Sequence, residues 1–256
     1  MTASPPVIDL NADLGESFGA WRMGDDEGLL SVVTSANVAC GFHGGDPLTI
    51  RRACAGAAAR GVAVGAQVSY RDLAGFGRRE MDVPADELTA EVLYQLAAVD
   101  GIARAEGTRV SYVKPHGALY NRTVRDPAQA AAVTAAICAY DRSLPLLTLA
   151  GGQAAAAAAA AGLSVVAEAF ADRGYNDDGT LVRRGEPGAV LTDPARVAAR
   201  AVTMVLSGRV DSARGSSLRV SPRSICIHSD TAGAVLLAGR VRAALEAAGA
   251  RLAPFG

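Results

Sequence analysis

"VIDLNADLGESFG", residues 7–19, decides which of two parallel-sheet folds this chain adopts. It opens as a short run rich in Val, Ile and Leu, the pattern of a strand buried on both faces. An open doubly wound sheet would follow its first strand with a glycine-rich phosphate turn of the form GxGxxG. "NADLGESFG" is not that turn. It places Asn11, Asp13 and Glu16 at the end of the strand, where a β/α barrel keeps its reactive groups.

Working outward, six more apolar runs follow: 34–40, 62–69, 110–115, 144–151, 164–172 and 224–230. Helical segments with clear ends separate them. Asp46-Pro47, Asp126-Pro127 and Asp193-Pro194 each read as an N-cap followed by proline at the first helical position, and Gly61, Gly107, Gly162 and Gly249 read as stops. The alanine run Ala154–Ala161 reads as helix, because alanine has the best intrinsic propensity. Asp25-Asp26 reads as another helix start. Seven strands, each followed by helix and with no composition break, predict an α/β fold: a seven-stranded parallel β/α barrel in a single domain, residues 1–256. The polar, glycine-rich stretch 173–191 reads as a long loop or lid after the sixth strand.

Composition narrows the function. Half the residues are apolar and the net charge is −1, with few, scattered aromatics, so nucleic acid is not an expected partner. Cys40, Cys54, Cys138 and Cys226 form no CxxC pair and read as reduced, buried thiols. The amino-terminal stretch lacks a basic and an apolar region, and the alanine run is too short to span a bilayer, so the expectation is a cytoplasmic protein without a membrane partner.

The polar residues at the carboxyl ends of the seven runs are the candidate site. They are Asn11, Asp13 and Glu16; Asn37, His43 and Asp46; Gln67 and Ser69; Lys114 and His116; Glu168, Asp172 and Arg173; His228 and Asp230. All three histidines fall there, as does Lys114, the only lysine among 25 basic residues. A chain that uses arginine everywhere else keeps an ammonium where a planar guanidinium will not serve: a confined place that needs a compact charge. Asp13 and Glu16 fit a general base or a water-positioning group, and His43 and His116 fit proton transfer. No HxxxH or HxxH pair occurs, so no tightly bound metal is expected. A P-loop is excluded, because its lysine follows glycine and Lys114 follows Val113.

Five strings, "IDLNADLGESFGAW", "TSANVACGFHGGDP", "VKPHGALYN", "EAFADRGYNDDGTLVRR" and "ICIHSD", resemble the LamB/YcsF family over nearly the whole chain. The resemblance implies a seven-stranded barrel related to glycoside hydrolases and polysaccharide deacetylases. It implies a part in opening 5-oxoproline to L-glutamate with hydrolysis of ATP (with Mg2+ as co-substrate ion), alongside partner B and C subunits. It also implies Asp13, Glu16, His43, Lys114 and His116 as catalytic groups, with Asn11, Asn37, Glu168, Asp172, Arg173, His228 and Asp230 around the substrate; Gln67 and Ser69 join the substrate contacts from their place at the end of the third strand. The chain departs from the family pattern at Gln67, where a histidine is usual, and at Ser229, where a glycine is usual. Since the related deacetylases hold metal with an aspartate and two histidines, Gln67 counts against a metal. Two rival expectations are a metal-dependent carbohydrate deacetylase and a binding subunit that captures 5-oxoproline without reacting with it.

Overall fold

The structure, a computed structural model, describes residues 5–255. Residues 1–4, where the amino-terminal stretch read above begins, and residue 256 lie outside the described residues. In chain order the first half runs β1 (Val7–Leu14), α1 (Asp26–Leu30), β2 (Ser35–Ala39), α2 (Pro47–Arg60), β3 (Ala63–Val68), α3 (Ala85–Ala105), β4 (Val110–Pro115) and α4 (Gly117–Arg125). The second half runs α5 (Pro127–Tyr140), β5 (Leu146–Leu149), α6 (Gln153–Ala160), β6 (Val165–Phe170), α7 (Pro194–Ser207), β7 (Arg209–Asp211), β8 (Ser217–Arg219), β9 (Ser224–Ile227), α8 (Ala234–Ala247) and β10 (Arg251–Leu252).

Every one of the seven predicted runs contains a strand, and the seven close into a parallel barrel in the order β1-β2-β3-β4-β5-β6-β9, with β9 returning to β1. Closure leaves no open edge and converts the inner face into a lumen. Two features have no counterpart in the sequence reading. The antiparallel pair β7–β8 lies outside the barrel, and β10 adds to the amino-terminal end of β1 through Val7↔Arg251.

The helix ends follow local chemistry. Asp46 accepts from Leu48 N and Thr49 N at the start of α2, and Asp126 and Asp193 repeat the arrangement for α5 and α7. Gly61 closes α2 in the left-handed conformation (φ 65°), which costs glycine little.

Alternation along each strand separates two environments. On β1, Ile8, Leu10, Ala12 and Leu14 belong to the apolar core between strands and helices. Asp9, Asn11 and Asp13 face the lumen and bond to other strands: Asp9 to Ser35 and Ser224, Asn11 to Glu168, and Asp13 to Asn37. The foot of the lumen is apolar, with Tyr112, Leu147, Val166 and Phe255 packed together. The Tyr112 ring also fills the space beside Gly65, where a Cβ would lie 2.1 Å from it. Polar layers stack above that plug, towards the carboxyl ends.

Candidate active site

Lys114 stands at the centre of the lumen, 3% exposed. From β4 its ammonium reaches three other strands: Glu168 Oε1 at 2.7 Å, Asn11 Oδ1 at 3.1 Å, Cys226 Sγ at 3.1 Å and Asp13 Oδ1 at 3.6 Å. A tetrahedral donor on a slim stem can radiate bonds in this way, and a flat guanidinium cannot. Burial opposes its charge, yet the Cys226 sulfur and the carboxylates of Glu168 and Asp13 together outweigh that cost and hold the Lys114 pKa well above its ordinary value.

The two carboxylates read from strand one are driven apart. Burial raises both, but the Lys114 ammonium and the Asn37 amide bring Asp13 below its ordinary value. Glu16 is raised, by burial first, although His43 Nε2 lies 3.1 Å from Oε1 and Ser229 Oγ donates to Oε2 at 3.0 Å. Splitting two nearby acids divides the labour: Asp13 is held toward its charged form, while Glu16 holds a proton more readily than an ordinary glutamate. His116, whose Nε2 is 3.6 Å from Glu16, is pushed well below its ordinary value by burial and by its neighbour His43, so it is neutral. A neutral imidazole between Glu16 and the cavity is a competent proton carrier.

Above this floor opens a cavity of about 960 Å³. Of the residues singled out from sequence, Asp13, Gln67, Lys114, His116, Arg173 and His228 line it. Asn11, Asn37 and Glu168 lie beneath the floor and bind one another and Lys114; their position is that of groups that orient the lysine and Asp13, not of groups that meet a ligand in the cavity. Glu16, His43 and Ser69 stand behind its wall. Asp172 accepts from the His228 backbone at 3.0 Å and sits 3.0 Å from Nδ1, which orients that ring, while Phe170 stacks against it. Asp230 lies between Arg78 (2.6 Å) and Arg184 (3.5 Å), tying the loop after β3 to the 173–191 stretch. That stretch is ordered by bridges Arg173↔Val190 and Tyr175↔Leu181. Asp46 is a helix cap and lies outside the site.

Sequence reasoning missed several participants. Tyr120, one helical turn past His116, lines the cavity with a buried hydroxyl that has no hydrogen-bond partner among the described residues. Its place in the "VKPHGALYN" string was the available signal. Cys226 reads as an ordinary core cysteine, and Arg78 and Arg184 as surface charges; only the closed barrel shows what they meet.

Among the described residues, Glu16, His43 and His116 bring one ligand atom each within 4.8 Å of one another, a candidate set for a metal ion. They do not fit it. The two imidazoles lie face to face, with centroids 3.8 Å apart and planes 16° from parallel. An ion midway would lie roughly 2 Å out of each ring plane, nearly the full ~2.0–2.1 Å of a zinc–nitrogen bond, and the in-plane lone pairs could not reach it. Among the described residues neither Nδ1 has the partner that orients a ligating histidine.

Fold and site together define a closed seven-stranded parallel β/α barrel with an acid–base cluster and a buried ammonium at its carboxyl end. The fold alone is shared with a family 4 carbohydrate esterase from Streptomyces lividans (TM-score 0.50, 12% identity, 99% of this chain and 95% of that chain). More particularly, the chain belongs to the LamB/YcsF family, whose sequence model matches residues 8–256. It is 62% identical to the A subunit of 5-oxoprolinase from Streptomyces avermitilis, over 97% of this chain and all of that protein. It is 60% identical to the corresponding A subunit from Paracidovorax citrulli, over 97% of this chain and 99% of that one. The crystal structure of a lactam utilization protein from Thermus thermophilus superposes with TM-score 0.92 at 46% identity, covering 97% of this chain and 99% of that one. Among the described residues no helix is long and apolar enough to cross a membrane.

Proposed function

We propose that this chain is the A component of an ATP-dependent 5-oxoprolinase, a cytoplasmic hydrolase that opens the lactam of 5-oxoproline to L-glutamate together with B and C subunits. Near-complete coverage at 62% identity to a 5-oxoprolinase A subunit carries this reading, and the site's chemistry supports it. ATP with Mg2+ is the co-substrate of the assembled enzyme. A lactam is a poor electrophile, and transfer of the γ-phosphoryl group to its oxygen converts that oxygen into a leaving group. Water then adds to the carbonyl carbon, the ring C–N bond breaks as the nitrogen takes up a proton, and a second water cleaves the resulting acyl phosphate to the carboxylate and inorganic phosphate.

Each step has a matching group. Glu16, acting through His116, accepts the proton of the attacking water. The Lys114 ammonium and the ionised Asp13 fix the field at the cavity floor, where negative charge develops on oxygen. Gln67 is fully buried, and neither amide atom has a partner among the described residues. A carboxamide complements a lactam, whose cis amide presents N–H and C=O on one edge. His228, oriented by Asp172, faces the cavity from the opposite strand.

The test is glutamate release from 5-oxoproline, ATP and magnesium, by this chain alone and with the B and C subunits. We expect turnover only in the assembled enzyme, and its loss in Lys114→Ala that still folds and assembles. A binding subunit without chemistry would raise KM in that variant and keep kcat. No glutamate from the assembled wild type would overturn the reading.

A further inference from the structure

Several arginines line the cavity, and most are neutralised by a neighbour. Arg78 and Arg184 share Asp230, Arg79 pairs with Asp72, and Arg125 pairs with Glu80. Arg173 differs. It is 4% exposed and makes no ion pair among the described residues. Its sequence neighbour Asp172 is committed to His228 through the ring nitrogen and the backbone N–H. A buried cation without an anion is costly, so a site that holds one is built for an anion that arrives from outside.

The donors that remain define the shape of that anion. A guanidinium has five N–H groups in a planar fork. Arg173 donates Nε–H to Ala189 O at 2.9 Å and one Nη2–H to Val182 O at 2.6 Å. The Nη1–Nη2 edge is left, with parallel donors that match the two oxygens of a planar carboxylate. The fork is held in place, because Arg200 on α7 donates to the Arg173 and Ala171 carbonyls. Burial and the like charge of Arg184 push the Arg173 pKa down to about 10, so it is still a cation at neutral pH.

We infer that Arg173 receives the α-carboxylate of the substrate on its Nη1–Nη2 edge and thereby selects lactams that carry an acid over lactams that do not. This assignment rests on the 5-oxoprolinase reading of the site and deepens it. It also makes the 173–191 stretch part of the substrate site, since both carbonyls that hold the fork belong to that stretch.

The experiment compares two substrates in the assembled enzyme: 5-oxoproline and its neutral carboxamide, with the same ring. In the wild type the acid is the better substrate. In Arg173→Gln, kcat/KM for the acid falls about 10- to 100-fold, as expected when a charge-assisted hydrogen-bonded pair is lost. The neutral amide changes less than about threefold, and Arg173→Lys recovers part of the preference without the fork. The acid-to-amide ratio is independent of how much variant protein is folded. Equal losses for acid and amide, joined to a raised KM for ATP, would place a phosphoryl group on this edge and overturn the assignment. So would an unchanged ratio. An assembled wild type inactive on 5-oxoproline overturns the underlying reading as well, which separates the two failures.

Discussion

The barrel strands face two buried regions with opposite chemistry. Outward, Leu10, Val38, Val64 and Val113 pack against helix residues such as Leu96 and Leu119 in one continuous apolar shell. Inward, Asn11, Asp13, Glu168 and Lys114 bond to one another and to Asn37, Ser224 and Cys226, and Asp9 below them accepts from Thr34, Ser35 and Ser224. The shell derives its stability from removing apolar area from water, a non-directional effect that tolerates substitution of similar volume. The lumen gains little net stability from its ion pairs, and loses much if one member is taken away. Its worth lies in fixing an ammonium and an ionised carboxylate under a cavity.

Breaking the lumen should have the largest effect. Lys114→Met leaves Glu168 and Asp13 buried without their cation. We expect turnover to fall more than about 1000-fold, and stability to drop by about 3–5 kcal/mol at pH 8, by steady-state assay and urea unfolding. A stable and active variant would erase the distinction between lumen and shell. In the shell, Leu96→Ala should cost about 2–5 kcal/mol in urea while kcat of the folded enzyme stays within about twofold.

Asp9 sharpens the comparison through pH. Burial raises its pKa from 3.8 to about 6, against three hydroxyl donors that lower it. The native state therefore binds more protons than the unfolded chain between those values. Asp9's contribution is fully present below about pH 4 and is lost as pH rises through 6, a change of about 3 kcal/mol. The difference in unfolding free energy between wild type and Asp9→Asn should shift by that amount between pH 4 and pH 7; a flat difference would show that the three hydroxyls fully compensate the buried charge. The smallest effect belongs to the surface. Asp193→Ala removes the cap that accepts from Ala195 N and Arg196 N at 2.9 and 3.0 Å, and should cost about 1 kcal/mol with unchanged turnover.

These contrasts also mark what was legible in advance. The seven strands were readable because both faces of each are buried, and the Asp-Pro helix starts because capping is a rule of nearest neighbours. The β7–β8 pair was not, since "RVD" and "SLR" are three residues each, too short to carry a periodic signal. At the site, the chain marked which residues stand at the carboxyl ends of strands but not their depth. Asn11 lies two residues before Asp13 on the same face, one layer lower, so it supports the floor where Asp13 lines it.

By itself, then, the sequence determined the strand count, the helix ends, the family strings and the unusual status of a lone lysine, because each is written in adjacent or periodically spaced residues. Tertiary structure alone decided that Lys114 meets Glu168, Asp13 and Cys226, that His43 stacks on His116 in a manner unsuited to a metal, and that Arg173 has no anionic partner among the described residues. Those facts depend on closure and register, which bring together side chains more than a hundred residues apart, such as Lys114 and Cys226. No local pattern encodes which layer of the barrel they will share.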